Sequence, residues 1–174
     1  SKRVIDLDTA AAINAAVGER ARLVAVVANL AGEEASRLRL ETGIRWLQLH
    51  GDEPAAALDT LLPEAYKAVA IAGAEDVERA DRYGGELLLC DTKVDGAFGG
   101  SGKTFDWRLV LALAERRKLV LAGGLTSENV SQAVRTVRPF GVDVASGVEA
   151  DSPRRKDAAK MALFVERARA GGIE

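Results

Sequence analysis

The sequence predicts an α/β protein of the (β/α)8 TIM barrel class, built as one domain over residues 1–174. Six short runs rich in Val, Ile and Leu alternate with segments whose apolar residues recur at helical spacing, and this alternation is typical of βαβ units and a parallel sheet. Nearly every run ends in a residue suited to chemistry, and such barrels collect their active site at the carboxyl ends of the strands. An open doubly wound sheet would more often concentrate its ligand contacts at one switch point.

The predicted strands are the apolar runs Leu23–Asn29, Trp46–Gly51, Tyr66–Ala72, Glu86–Lys93, Lys118–Leu125 and Gly141–Glu149. A complete barrel has eight strands, so we expect the chain to represent about six βα units, incomplete at its N-terminal side, without the first two strands and the first helix. The last two runs lead into glycine-containing loops, and these barrels hold phosphate after strands seven and eight. The runs are therefore predicted to be strands three to eight.

Four segments show a helical pattern. The first spans about Thr9–Val17, with Asp8 as its cap and Gly18 as its stop, and a later one, carrying Val130, has Thr126 as its cap. The other two predicted helical faces are Trp107, Val110, Leu111 and Ala114, and, within about Lys156–Ala170, Met161, Ala162 and Val165.

Composition excludes several classes of protein. The net charge of -2 gives no basic surface for nucleic acid, and the single cysteine excludes a disulfide framework and a cysteine-based zinc site. No apolar run approaches the roughly 18 residues of a membrane span, so we expect a cytoplasmic protein. The segment Gly102-Lys103-Thr104 ends like a nucleotide-binding P-loop, but Ala97 stands where that motif requires its first glycine. The charged runs are predicted to be solvated faces: Glu33-Glu34, Arg116-Arg117-Lys118 and Arg154-Arg155-Lys156.

Strand alternation assigns the candidate side chains to faces. Gln48 and His50 share one face of their strand, while Asp91 faces the barrel interior and Cys90 the helix layer. A partly desolvated carboxyl at a strand end can act as a general acid, and the structural alternative for Asp91 is an ion pair with Lys93. His50 either orients a ligand or is a satisfied structural histidine, and Cys90 is expected to be a buried small hydrophobe.

Two glycine-containing strand ends suggest an anion site. Gly123-Gly124 and Ser146-Gly147 can each bring bare backbone N–H groups towards a phosphate. One glycine pair alone is weak evidence because such pairs are common in turns, but two at consecutive strand ends are stronger. Asp143 lies on the inward parity of its strand, where it would touch a substrate or fill the barrel.

Several segments carry a family resemblance, in this order along the chain: Ser1-Lys2-Arg3, Leu47–Glu53, Asp91-Thr92-Lys93, Gly99–Trp107, Leu121–Leu125 with Glu128-Asn129-Val130, and Val142–Glu149. Together they resemble the phosphoribosylanthranilate isomerases of tryptophan biosynthesis, and the string G-G-S-G-K-T-F-D-W is the most specific part of the match. The resemblance implies an Amadori rearrangement of a phosphosugar, with neither a metal nor an organic cofactor.

The resemblance also implies roles for individual residues. Asp91 would be the general acid, and Arg3 would hold the anthranilate carboxylate. The phosphate would bind to Gly123, Gly124, Ser146 and Gly147, and residues 99–103 would form a substrate-covering loop. The family's general-base cysteine, in a K-x-C-G segment, has no counterpart among these 174 residues, and Ala145 stands where many relatives have a second serine.

Three functions remain open from the sequence. The expected one is an isomerase whose base lies outside these residues. The alternatives are a catalytically incompetent barrel that binds a phosphosugar, or another phosphosugar isomerase or epimerase. The partner is a small phosphosugar in each case, rather than nucleic acid or a membrane. A barrel without its first strands would leave an open strand edge, so we also expect self-association or marginal stability.

Overall fold

A parallel sheet of six strands organises the chain in a computed structural model that describes residues 3–92, 104–152 and 155–173. The strand order along the sheet follows the chain, β1 to β6, and the registered neighbours run parallel. The strands are β1 Val24–Val27, β2 Trp46–Leu49, β3 Ala65–Ile71, β4 Leu87–Thr92, β5 Lys118–Leu121 and β6 Gly141–Val142. The predicted parallel α/β architecture is therefore confirmed.

A helix follows every strand, and one further helix precedes β1. The α-helices are α1 Leu7–Val17, α2 Gly32–Thr42, α3 Ala55–Asp59, α4 Ala74–Asp81, α5 Leu111–Arg116, α6 Val130–Val137 and α7 Ala158–Gly171. Short 3-10 turns occupy Gly18–Arg20, Trp107–Val110 and Ser146–Val148. Within the three described ranges, no helix has the length and apolarity needed to cross a membrane.

The last two strands are shorter than the sequence predicts. Strand β5 ends at Leu121 because Gly123 and Gly124 follow with φ of 86° and 63°, which is not an extended backbone. Strand β6 covers two residues rather than nine, since its last registered partner is Leu121 itself, opposite Val142. The remainder of the predicted strand forms a loop and a 3-10 turn.

Two predicted helix starts need correction. Helix α1 begins at Leu7, where the Asp6 carboxylate rather than Asp8 caps it by accepting from Thr9 N–H; Gly18 ends the helix as predicted. Helix α6 begins four residues after Thr126, whose hydroxyl accepts from the N–H of Glu128 in the preceding turn.

The buried face of α7 is also different from the predicted one. Met161 and Val165 are each 48% exposed, whereas Phe164 and Ala168 are buried. These two buried residues are one helical turn apart and lie on one face, and α7 packs against α6. The side chains that the sequence assigned to the core therefore face outward.

The chain divides into two compact units. One contains Arg3–Ala68 and Tyr83–Gly85, and the other contains Val69–Arg82 and Glu86–Glu174. The first unit packs α2, β2, α3 and β3 around Ala35, Leu47, Leu49, Leu58 and Ala65. The second buries side chains of β4, β5 and α6, among them Leu88, Leu119, Leu121, Val130 and Val134.

A buried ion pair holds the loop after β2 in the first unit. The side chains of Glu53 and Lys67 are each 3% exposed, with 3.2 Å between Lys67 Nζ and Glu53 Oε2. The ammonium also donates to the carbonyls of Leu49 and Gly51, at 3.2 and 2.7 Å. The carboxylate accepts from the backbone N–H groups of Asn29 and Gly51. Both charges are therefore compensated by several partners.

Removing one member of this ion pair should destabilise the folded protein. We expect Glu53→Ala to lower the free energy of unfolding by about 3–5 kcal/mol, because it strands a buried ammonium. Urea denaturation would measure the change. The matched control is Glu41→Ala, which breaks the exposed 3.6 Å pair with Arg37 and should cost less than about 1 kcal/mol. A similar decrease in the free energy of unfolding in the two variants would contradict a structural role for the buried pair.

Candidate active site

Asp91 lies at the carboxyl end of β4, and its side chain is close to the backbone that follows. The residue is 8% exposed, and its Oδ1 accepts from Thr92 N–H at 2.7 Å. Its neighbour Cys90 is completely buried, as strand alternation predicts for a side chain facing the helix layer. Lys93 and the predicted covering loop at 99–103 lie outside the described residues.

The loop after β5 approaches Asp91 so closely that it requires glycine. A Cβ atom on Gly123 would lie 2.2 Å from Thr92 Oγ1, 2.4 Å from Thr92 N and 2.9 Å from Asp91 Oδ1. The positive φ of 86° at Gly123 adds a second reason. The structure therefore brings the candidate acid into contact with one of the two predicted phosphate loops.

The loop after β6 contacts the loop after β5. A Cβ atom on Gly147 would lie 2.0 Å from the carbonyl oxygen of Leu125, and Ser146 and Gly147 form a 3-10 turn with Val148. The glycine therefore permits a backbone contact that any side chain would block. The structure brings together Asp91 and all four predicted phosphate-binding residues in one cluster of strand ends.

Two residues that the sequence analysis did not assign to the site hold these loops. Lys156 Nζ donates to the carbonyl of Ala145 at 2.7 Å and to Glu149 Oε1 at 3.1 Å, so it is not merely part of a solvated charged run. The side chain of Asn129 bonds to the backbone of Gly124 and Thr126. Lysines in charged runs and asparagines at helix starts are common, so the sequence gives no reason to single them out. The hydrogen-bond partners of Lys156 and Asn129 become visible only in the folded structure.

Asp143 directly follows β6. Its N–H donates to the carbonyl of Leu121 at 2.9 Å, and the residue is exposed. This exposure does not favour the alternative in which Asp143 fills the barrel interior, and its contact with substrate stays a prediction. In the part of the chain that the structure describes, His, Cys, Asp and Glu side chains form no group of three that could bind a metal ion.

In the other unit, a chain of hydrogen bonds includes Tyr66, Gln48 and His50. Gln48 Nε2 lies 2.9 Å from His50 Nδ1, and the Tyr66 hydroxyl donates to Gln48 Oε1 at 2.9 Å. Because Tyr66 occupies the amide oxygen, the amide N–H faces the ring and Nδ1 accepts. The neutral imidazole then carries its proton on Nε2, which makes it a hydrogen-bond donor. Arg3 is exposed ahead of α1.

Cys90 has the chemistry of a structural thiol. Burial raises its pKa from 9.0 to about 12, and the negative charge of Asp91 adds to the rise while Arg117 opposes it. The thiolate is the form that acts as a nucleophile or base. Cys90 therefore cannot take the place of a catalytic base near neutral pH.

Comparison with known proteins identifies a consistent set of relatives. The model of the N-(5'phosphoribosyl)anthranilate (PRA) isomerase family matches residues 1–167. The isomerase of Myxococcus xanthus is 41% identical over 97% of this chain and 81% of its own length. The crystal structure of monomers generated from the dimeric Thermotoga maritima enzyme has a TM-score of 0.84 and 36% identity, over 97% of this chain and 82% of that one. An isomerase in complex with reduced 1-(o-carboxyphenylamino)-1-deoxyribulose 5-phosphate has a TM-score of 0.83 and 34% identity, over 97% and 82%.

The inert character of Cys90 can be measured. At pH 8 we expect a thiol reagent to react with the native protein at least about a hundredfold more slowly than with the urea-unfolded chain, because the native thiolate fraction is very small. The free energy of unfolding should also fall as the pH rises above about 9, since only the unfolded thiol then loses its proton. A Cys90→Ala variant provides the blank for both measurements. A native rate equal to the unfolded rate would contradict the assignment.

Proposed function

The chain belongs to the N-(5'-phosphoribosyl)anthranilate isomerase family of tryptophan biosynthesis, and we propose that Asp91 and the loops after β5 and β6 form its catalytic and phosphate-binding site. The reaction converts N-(5'-phosphoribosyl)anthranilate to 1-(o-carboxyphenylamino)-1-deoxyribulose 5-phosphate by an Amadori rearrangement. The contact between the Asp91 carboxylate and Gly123 is the observation that carries this proposal, because it links a proton donor to a phosphate loop.

In the proposed reaction Asp91 donates a proton to the furanose ring oxygen. The bond between C1 and that oxygen then breaks, leaving a hydroxyl on the sugar and a protonated Schiff base at C1. A base removes the proton from C2 to give the enolamine, and protonation at C1 with ketonisation at C2 yields the product. Each step is a proton transfer or the opening of the ring, and the substrate is neither oxidised nor reduced overall, so the proposed steps use neither a metal nor an organic cofactor. We assign the base to no residue of the described ranges.

The phosphate is proposed to bind to the N–H groups of the two loops. Among the described residues, the N–H groups of Gly123 and Gly124 donate to no protein acceptor. Consecutive glycine N–H groups are suited to an anion, and the contact between Gly147 and Leu125 keeps the second loop beside the first. These observations support a single phosphate cradle formed by Gly123, Gly124, Ser146 and Gly147.

Arg3, His50 and Asp143 are proposed as further substrate-binding residues. A guanidinium suits a planar carboxylate, so Arg3 is assigned to the anthranilate carboxylate. Histidine and aspartate side chains can both hydrogen-bond to the oxygens of a sugar phosphate, so His50 and Asp143 are assigned to substrate binding. We further propose that β1–β6 are the third to eighth strands of a (β/α)8 barrel, because the glycine loops follow β5 and β6. The cytoplasmic location stays a prediction from composition.

Replacing the proposed acid tests the catalytic assignment. We expect Asp91→Asn to reduce turnover of N-(5'-phosphoribosyl)anthranilate by at least about a hundredfold, because an amide cannot supply the proton. Binding of the reduced product analogue should stay within a few fold of wild type. The assay follows loss of substrate fluorescence, and binding is measured by calorimetry.

The control for this test is Asp81→Asn, which removes an exposed carboxylate paired with Arg116 and should leave turnover unchanged. Full activity in Asp91→Asn would overturn the acid role. A wild-type chain that binds the analogue without turning over substrate would instead favour the phosphosugar-binding alternative. Turnover of a different phosphosugar alone would favour another isomerase or epimerase.

We also propose that the chain self-associates if the barrel lacks its first two strands, because β1 then has no neighbouring strand on one side. Strand β1 is an end strand of the described sheet, and Val26 on it is 62% exposed while Leu40 is 86% exposed. Unpaired strand edges and exposed apolar side chains favour pairing with another chain. The dimeric state of the Thermotoga maritima relative is consistent with this proposal.

Sedimentation velocity over a range of concentrations tests this association. We expect the weight-average mass to rise with concentration, and Val26→Lys to lower it by placing a charge on the strand edge. The exposed residue Gln132 on α6 provides the control, because Gln132→Lys adds the same charge elsewhere. A stable monomer at all concentrations would contradict the proposal.

A further inference from the structure

Asn129 immediately precedes α6, but its side chain does not cap that helix. Asparagine in this position normally accepts a hydrogen bond from an N–H of the first helical turn. Here the amide turns back towards the loop after β5 instead. The first turn of α6 therefore begins without a side-chain cap from Asn129, and this side chain bonds to another part of the structure.

The Asn129 amide forms two hydrogen bonds to the loop backbone. Its Nδ2 donates to the carbonyl oxygen of Gly124 at 3.0 Å, and its Oδ1 accepts from the N–H of Thr126 at 2.9 Å. The two contacts span the peptide units on both sides of Leu125. One side chain therefore bridges the segment that connects the glycine pair to the turn before α6.

The bond to the Gly124 carbonyl orients the N–H group that follows Gly124. Because the C=O and N–H of one trans peptide unit point in opposite directions, holding the Gly124 carbonyl on Asn129 directs the Leu125 N–H away from it. The glycines at 123 and 124 have φ of 86° and 63°, and a flexible glycine pair would otherwise sample many conformations. Among the described residues, the N–H groups of Gly123, Gly124 and Leu125 donate to no protein acceptor.

We infer that Asn129 is a positioning residue that preorganises the phosphate-binding backbone of the loop after β5. The inference rests on the proposed function of that loop. Without the two amide contacts, binding a phosphate would first have to order the glycine pair, and ordering a mobile segment weakens binding. Asn129 acts through the backbone and need not contact the ligand.

The test compares ligands with and without phosphate. Isothermal calorimetry would measure binding of reduced 1-(o-carboxyphenylamino)-1-deoxyribulose 5-phosphate and of its dephosphorylated form to the full chain. For Asn129→Ala we expect affinity for the phosphorylated ligand to fall about tenfold, as for the loss of two modest hydrogen bonds. Affinity for the dephosphorylated ligand should change less than about twofold, because that ligand does not use the loop.

Two further variants make the comparison specific. Asn129→Asp keeps the shape of the side chain and the acceptor for Thr126 N–H, but it cannot donate to Gly124 and adds a negative charge. It should weaken the phosphorylated ligand more than Asn129→Ala does, and it serves in place of Asn129→Ala if the alanine variant does not fold. Gln132→Ala, on the exposed side of α6, should leave both affinities unchanged.

The outcomes separate this inference from the function on which it rests. If wild type prefers the phosphorylated ligand and both Asn129 variants keep that preference, the positioning role is wrong while the phosphate loop stands. An equal loss for both ligands would indicate a general structural role and would also overturn the inference. If wild type itself does not distinguish the two ligands, the phosphate loop is wrong and the inference falls with it.

Discussion

The site depends on one close approach, between the loop after β5 and the end of β4. At Gly123 the backbone lies so near Asp91 and Thr92 that the position of any Cβ atom is already occupied. This contact places a candidate proton donor directly beside candidate phosphate-binding N–H groups. Rearranging a phosphosugar requires both at a set distance from each other, since the phosphate orients the ring whose oxygen is protonated. In the proposed reaction, the close approach at Gly123 therefore links phosphate binding to proton transfer.

Backbone contacts rather than charged side chains build most of this site. Gly147 permits the loop after β6 to touch Leu125, Lys156 holds the carbonyl of Ala145, and Asn129 holds that of Gly124. Such contacts give the loops a defined conformation before any ligand binds. Preorganised N–H groups can bind an anion without the free-energy cost of ordering the loop, which is consistent with the proposed phosphate site.

In the unit that contains β1 and β2, a loop is held by a buried ion pair rather than by close backbone contacts. The loop after β2 carries His50 and is held by the buried pair of Glu53 and Lys67, whose remaining hydrogen-bond capacity is directed at backbone groups. A buried pair of this kind contributes little net stability compared with apolar packing, but removing one partner is costly. It therefore acts chiefly to define the path of the loop, and the hydrogen bonds of Gln48 and Tyr66 then set the tautomer of His50.

The sequence predicted the order of strands and helices and the two glycine loops. It also predicted that Asp91 lies at a strand end and that Cys90 is buried and inert. These features depend on residue periodicity and on local backbone chemistry, which neighbouring residues determine. The tertiary structure decided the lengths of β5 and β6, the buried face of α7 and the exposure of Asp143. Each of these features depends on which segment, distant in sequence, packs against the residues concerned. The same holds for Lys156 and for the pair of Glu53 and Lys67, which bond to backbone groups of other segments. Asn129 bonds to backbone groups only three and five residues away. In all these cases the sequence does not show which backbone carbonyl or N–H group will need a side-chain partner in the folded protein.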